Sequence, residues 1–84
     1  MQPTLRPGRY RHYKGNDYHV LDIARHSETE QWFVVYRCLY GDHSLWVRPL
    51  SMFTEMVNVD GCEIERFKYC EPMAAIRIDL CATD

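Results

Sequence analysis

Three groupings of side chains in this sequence have types that could do chemistry. His26, Ser27 and Glu28 follow one another in A-R-H-S-E-T (Ala24 to Thr29) and carry the residue types of an acyl-transfer triad. Adjacency argues against that use. Neighbours in an extended segment point to opposite sides, whereas nucleophile, base and orienting acid must converge. The segment reads better as a polar loop braced by its own Ser, Thr and Glu hydrogen bonds. His12 and His26 could form a metal or acid–base pair if the first two strands brought them together, but no third ligand accompanies them. Arg25, Arg37 and Arg48 fall at the ends or middle of three expected strands, with Glu28, Glu30 and Glu55 available as partners. Guanidinium geometry serves two roles there. The arginines either pair with carboxylates in a network that fixes the loops, which the balanced charge favours, or line a pocket for a phosphate or carboxylate.

Large amphipathic rings are the second resource: Tyr10, Tyr13, Tyr18, Tyr36, Tyr40, Trp32 and Trp46. Part of this set must be core. The remainder would form a groove able to hold an extended peptide or to stack unpaired bases. A formal net charge of -2 and a pI near 6.0 lack the basic excess of an RNA-binding surface, which favours peptide or protein over RNA.

The elements that must position these groups are short strands. Gln31 to Pro49 forms a central hairpin, with Trp32 to Tyr40 and Leu45 to Val47 separated by Gly41, Asp42, His43 and Ser44. Arg9 to Tyr13 is the first strand, turned by Lys14, Gly15, Asn16 and Asp17 into a second strand from Tyr18 to Ala24. The third strand is apolar on both alternating sets, so it is either covered on both sides or lines a contact surface, and a chain this small favours the latter. Ser51 to Val57 reads as a single helical turn because Met52, Phe53 and Met56 fall at helical spacing. Asp60-Gly61 marks a turn, and Cys62 to Tyr69 is the fifth strand with Ile64 and Phe67 inward. In the tail, Ile76, Ile78 and Leu80 alternate with Arg77 and Asp79 as in a half-buried extra strand.

These elements predict an all-β fold: a small, strongly bent, five-stranded antiparallel SH3-like barrel over residues 8–69, with one short helical turn before the last barrel strand. Residues 1–7, with Pro3 and Pro7, form a flexible lead-in, and residues 70–84 form a strand-forming extension. At 84 residues the chain holds a single modest core. A hydrophobic content of 46% with 26% charged residues places it among globular proteins rather than disordered ones. No apolar run reaches the roughly 20 residues that span a bilayer, and the first residues lack a signal-peptide core, so the expectation is a cytoplasmic protein off the membrane. Cys38, Cys62, Cys70 and Cys81 make no C-x-x-C and are expected as reduced thiols. With His12, His19, His26 and His43 scattered, no metal or cofactor is called for.

The strings G-R-Y-R-H-Y-K-G-N (Gly8 to Asn16), A-R-H-S-E-T, V-V-Y-R-C-L-Y-G (Val34 to Gly41) and L-W-V-R-P-L-S-M-F (Leu45 to Phe53) resemble a small bacterial family of unknown function, domain-of-unknown-function family 1653. The likeness runs on through Glu55, Gly61 and Arg66-Phe67, covering roughly residues 8 to 67. It implies an SH3-like barrel and no reaction, ligand or cofactor. It also implies that the polar residues Tyr10, His12, Lys14, Arg25, His26, Ser27, Glu28, Thr29, Arg37, Arg48 and Glu55 belong to a site or an internal polar network.

The expected function is a non-catalytic module that binds a protein or peptide through Tyr10, His12, Arg25, Trp46 and Arg48, with Lys14, His26, Glu28 and Arg37 as further ligand-binding candidates. No residue is assigned a catalytic role. The alternatives are an Sm-like RNA-binding oligomer and a small anionic-ligand or enzyme site around His12, His26 and Glu28, and self-association is expected through the third strand or the tail.

Overall fold

The computed structural model describes residues 3–73. Its elements follow in the order β1 (Gly8–His12), β2 (Asp17–Arg25), β3 (Trp32–Cys38), β4 (Leu45–Pro49), α1 (Leu50–Phe53), β5 (Met56–Val59), β6 (Cys62–Glu65) and β7 (Phe67–Glu71). Five strands form one antiparallel sheet in the order β4-β3-β2-β1-β7, and β5 and β6 form a separate two-stranded ribbon. The fold is therefore all-β and antiparallel with one short helix.

The strongly bent SH3-like barrel expected from the sequence is found only as a bent antiparallel sheet, with no closed barrel among the described residues. Among the described residues no ladder joins β4 to β7, so both remain edges. Two register shifts bend the sheet. One lies in β2 between Val20 and Asp22, and one lies between β1 and β7 at Arg9 and Tyr10. The fifth expected strand, Cys62 to Tyr69, is two strands. Arg66 breaks it, its N–H donating to the Glu55 carbonyl (3.1 Å) and its carbonyl accepting from the Tyr13 N–H (2.9 Å). Met56, expected on the helical turn, instead opens β5. The Asp60-Gly61 turn is as expected, with φ of 51° and 83° at the two positions, the left-handed pair that a two-residue hairpin loop demands. The expected tail strand through Ile76, Ile78 and Leu80 lies outside the described residues.

The core is the inner face of the curled sheet. Tyr10 on β1, Val20 on β2, Val34 and Tyr36 on β3, Phe53 on α1 and Phe67 on β7 are buried together, with Leu5, Tyr18, Ile23, Leu50 and Tyr69 packed around them. Rings fill most of it. Phe53 stacks on Phe67 with centroids 4.1 Å apart and planes 7° from parallel, and Tyr10 meets Phe53 edge-on at 5.3 Å. On the opposite face, Asp17 clamps β1 to β2 by accepting from Arg9 (3.0 Å) and Arg11 (2.7 Å). Leu5 and Arg6 precede β1 and touch this framework, since the Tyr10 hydroxyl donates to the Arg6 carbonyl at 2.7 Å. Among the described residues no helix is long and apolar enough to cross a membrane.

Gly8 opens β1 where β1 meets β7. Its φ is +144°, and a Cβ placed there would lie 2.6 Å from the Glu71 carbonyl oxygen and 3.0 Å from the Tyr69 ring. Backbone cannot yield that far without moving the edge strand. Gly8→Ala is expected to destabilise by about 2 kcal/mol or more, lowering Tm by roughly 8 °C or more in thermal melts, whereas Gly15→Ala, with open space around it, acts only through its own φ.

Candidate functional site

The register of the central hairpin assembles the site. Pairing of Tyr36 with Trp46 and of Val34 with Arg48 puts both β4 side chains on the inner face, and pairing of Tyr18 with Cys38 brings Tyr18 alongside. The loop after β3 adds Tyr40, Asp42 and Ser44. Together they line an open cleft of about 350 Å³ whose walls are Tyr18, Tyr36, Tyr40, Trp46 and Arg48.

The aromatic wall is ordered by edge-on contacts. Tyr18 meets Tyr36 at 5.3 Å and Tyr40 at 5.6 Å, with interplanar angles of 86° and 79°, and the Tyr18 and Tyr40 hydroxyls share a hydrogen bond of 3.0 Å. That bond, then the Cys38 thiol, pushes the Tyr40 phenol above its ordinary pKa, so that ring stays neutral in water. Trp46 is 55% exposed, and its indole Nε1 donates to Ser44 Oγ at 2.6 Å. Ser44 in turn donates its backbone N–H to Asp42 Oδ1 (3.1 Å), and hydrogen bonds from Ser44 hold the Asp42 carboxyl below the usual range. Arg48 is different. Its guanidinium lies over the Phe67 ring at 5.4 Å, its Nε is buried without a hydrogen-bond partner, and it joins no ion pair among the described residues.

The expected arginine–carboxylate network is corrected accordingly. Arg25 stacks on the Trp32 ring at 4.3 Å, and Arg37 donates to the His43 carbonyl at 2.9 Å. The carboxylate pairs belong instead to Arg9 and Arg11 with Asp17, Arg9 with Glu71, and Arg66 with Glu55.

The other candidates do not share one place. Tyr10 is 5% exposed and is core. His12 sits against Tyr13 (4.7 Å) and Phe67 (4.8 Å) with its Nδ1 accepting from the Lys14 N–H at 3.1 Å, while the Lys14 ammonium lies 5.8 Å from the centre of the Tyr13 ring. Arg25, His26 and Glu28 lie at or beyond the far end of β2, which at about 3.3 Å per residue puts roughly 30 Å between His12 and His26. His26 braces its own loop, its Nδ1 accepting from the N–H groups of Glu28 (3.1 Å) and Thr29 (3.2 Å). The ligand or enzyme site expected around His12, His26 and Glu28 therefore has no common pocket. Among the described residues no group of three His, Cys, Asp or Glu is placed to hold a metal ion, and Cys38, Cys62 and Cys70 are free thiols.

A second, larger trough of about 810 Å³ runs beside β7 and the ribbon, lined by residues including Arg11, His12, Tyr13, Ile64, Glu65 and Lys68. Two of its polar groups are already engaged, Arg11 by Asp17 and His12 by the Lys14 backbone. The smaller cleft holds a guanidinium whose Nε is buried without a partner and which joins no ion pair among the described residues, and it is the better site. Tyr18, Tyr36 and Tyr40 join Trp46 and Arg48 there, a set that the register of the hairpin and its pairing with β2 would have grouped.

A curled antiparallel sheet with an aromatic, arginine-bearing cleft defines a small all-β protein. The chain belongs to the family described as Protein of unknown function (DUF1653), whose model matches residues 8–69. It is similar to a crystal structure of a protein of that family from Bordetella bronchiseptica, at 38% identity and a TM-score of 0.75, over 83% of this chain and 92% of that one. No curated protein matches the sequence.

His12 gives the site's surroundings a pH signature. Burial, then the charges of Arg48, Arg66 and Lys14, lower its pKa, and burial, then Arg37, lower that of His19. An imidazole harder to protonate folded than unfolded leaves stability complete above about pH 6.5 and erodes it as pH falls from there toward the folded value. His12→Asn keeps an acceptor for the Lys14 N–H, so urea melts from about pH 7 to about pH 5 are expected to show a shallower loss of stability than wild type.

Proposed function

We propose that the chain is a non-catalytic binding module whose cleft holds an extended, acidic peptide segment of a partner protein. The observation that carries this reading is Arg48, a guanidinium at the wall of an aromatic cleft with no carboxylate paired to it among the described residues. A buried, unpartnered guanidinium nitrogen is costly, and a carboxylate from a ligand would restore what the fold leaves out. Rings set edge-on around it match the way SH3-like modules hold extended chains, by stacking on tyrosines and tryptophans. Asp42 lies at the same cleft, but hydrogen bonds from Ser44 occupy it. RNA is the competing occupant, and the chain's net charge of -2 weighs against it.

Selection from a library of random decapeptides, with single-stranded oligonucleotides as the parallel arm, tests the reading. Enriched peptides are expected to carry Asp or Glu next to apolar residues and to lose about tenfold or more in affinity with Arg48→Met and with Trp46→Ala. Both variants are expected to stay folded, because Arg48 has no ion pair to lose and Trp46 is more than half exposed. Failure to enrich peptides, binding indifferent to both substitutions, or tighter binding of oligonucleotide would overturn it.

A further inference from the structure

We infer that β4 is the seam of a symmetric dimer, pairing antiparallel with β4 of a second copy. The inference rests on the backbone edge and the outer face of β4, and Trp46 is the one residue it shares with the cleft.

Phase comes first. Cys38 N–H donates to the Ser44 carbonyl at 3.0 Å, and the pairing then runs through Tyr36 with Trp46 and Val34 with Arg48. In an antiparallel ladder hydrogen-bonded pairs alternate with non-hydrogen-bonded ones, so Ser44, Trp46 and Arg48 turn their backbone groups toward β3. Leu45 and Val47 therefore turn their N–H and C=O groups toward the edge that pairs with no other strand among the described residues.

Those four groups match themselves under a two-fold axis in one register. With Trp46 opposite its own copy, Leu45 faces the second copy's Val47, and every edge N–H and C=O of Leu45 and Val47 finds its complement in both chains. Sliding the pair so that Val47 faces itself puts Leu45 opposite the second copy's Pro49, which has no N–H, and the Leu45 carbonyl is left unmet. Pro49 thus excludes that register, and the opposite slide, with Leu45 facing itself, sets Val47 against His43, whose N–H already donates to the Tyr40 carbonyl and whose carbonyl already accepts from Arg37. In the register centred on Trp46, that residue sits in a non-hydrogen-bonded pair, where facing side chains come closest, and two indoles meet across the axis.

The side chains point to the same occupant. Leu45, Trp46 and Val47 are 52%, 55% and 59% exposed, three consecutive apolar residues on an edge with no bulge and no charge before Arg48. On the outer face Val47 lies opposite Val35 and Leu45 opposite Arg37, so pairing sets Leu45 against the second copy's Val47 twice and joins the Val35–Val47 apolar patches of the two sheets across the axis. The other sheet edge is guarded: β7 carries Lys68 and Glu71, and its pairing with β1 is bulged.

Sedimentation under reducing conditions, which keeps the exposed Cys62 and Cys70 from cross-linking, is expected to give a dimer that dissociates on dilution. Leu45→Lys and Val47→Glu each weaken self-association about tenfold while leaving far-ultraviolet circular dichroism unchanged, since both positions are more than half exposed. Mixing the two variants brings the introduced lysine of one chain opposite the introduced glutamate of the other and restores a heterodimer. A wild-type chain that remains a monomer at high concentration overturns the inference, as does a dimer untouched by either substitution, which would place the seam on the ribbon or on residues 74–84. Two folded single variants that fail to recombine overturn the register and with it the proposed seam.

Discussion

The stack of Phe53 on Phe67 is the contact on which the rest of the molecule depends. No ladder joins β4 to β7 among the described residues, so the two ends of the sheet are brought together by side chains instead of backbone. Phe53 reaches the contact because α1 starts directly after Pro49, which ends β4 and has the φ of a helix entry. Phe67 reaches it because Arg66 is pinned between Tyr13 and Glu55. His12, Tyr18 and Tyr36 then pack on the same Phe67 ring, and Arg48 lies over it. Burying two phenylalanines contributes about 1.5–3 kcal/mol each, and their pairing adds about 0.5–1.5 kcal/mol, on the scale of a small domain's whole stability.

The cleft is a consequence of that mode of closure. A hydrogen-bonded barrel of this size fills its interior with side chains and leaves its inward-facing residues covered. Here closure happens at one pair of rings, and the inner-face residues of β4 lie on the open side of it. Arg48 keeps its stem against Phe67 while its head stays without a carboxylate, and Trp46 leans on Ser44 with more than half its surface in water. The gap in the ladder and the exposed aromatic surface are one feature, not two.

Much of the strand layout was legible because it rests on local chemistry. Asp60-Gly61 can take the left-handed pair of torsions, Lys14 to Asp17 is a turn by composition, and β-branched and aromatic residues mark β3. What escaped was set by distant partners. The stretch Cys62 to Tyr69 contains no glycine or proline, and only the hydrogen bonds of Arg66 to Tyr13 and Glu55 divide it. Met56 fits a helical spacing with Met52 and Phe53, yet it pairs with Glu65 in the ribbon. In β1 both alternating sets are polar or aromatic, so the phase that buries Tyr10 and exposes Arg11 was open until β2 and β7 were in place. The arginines were likewise equivalent by type. Arg11 took the carboxylate because it lies directly opposite Asp17, a register that composition does not disclose.

Exposed apolar residues are ordinary on any small protein, and their distribution carries the meaning. The ribbon shows one kind. Pairing of Val57 with Ile64 and of Val59 with Cys62 gathers its apolar side chains on one face, while Asn58 and Glu63 occupy the other, and its strands already satisfy each other through the ladder. β4 shows another kind, since its exposed Leu45 and Val47 coincide with backbone groups that have no partner among the described residues. An apolar face can stand in water at a modest cost. An apolar edge that also presents an unbroken, self-matching row of donors and acceptors is a template for another strand, and the proline that ends β4 limits the registers in which a second copy can satisfy it.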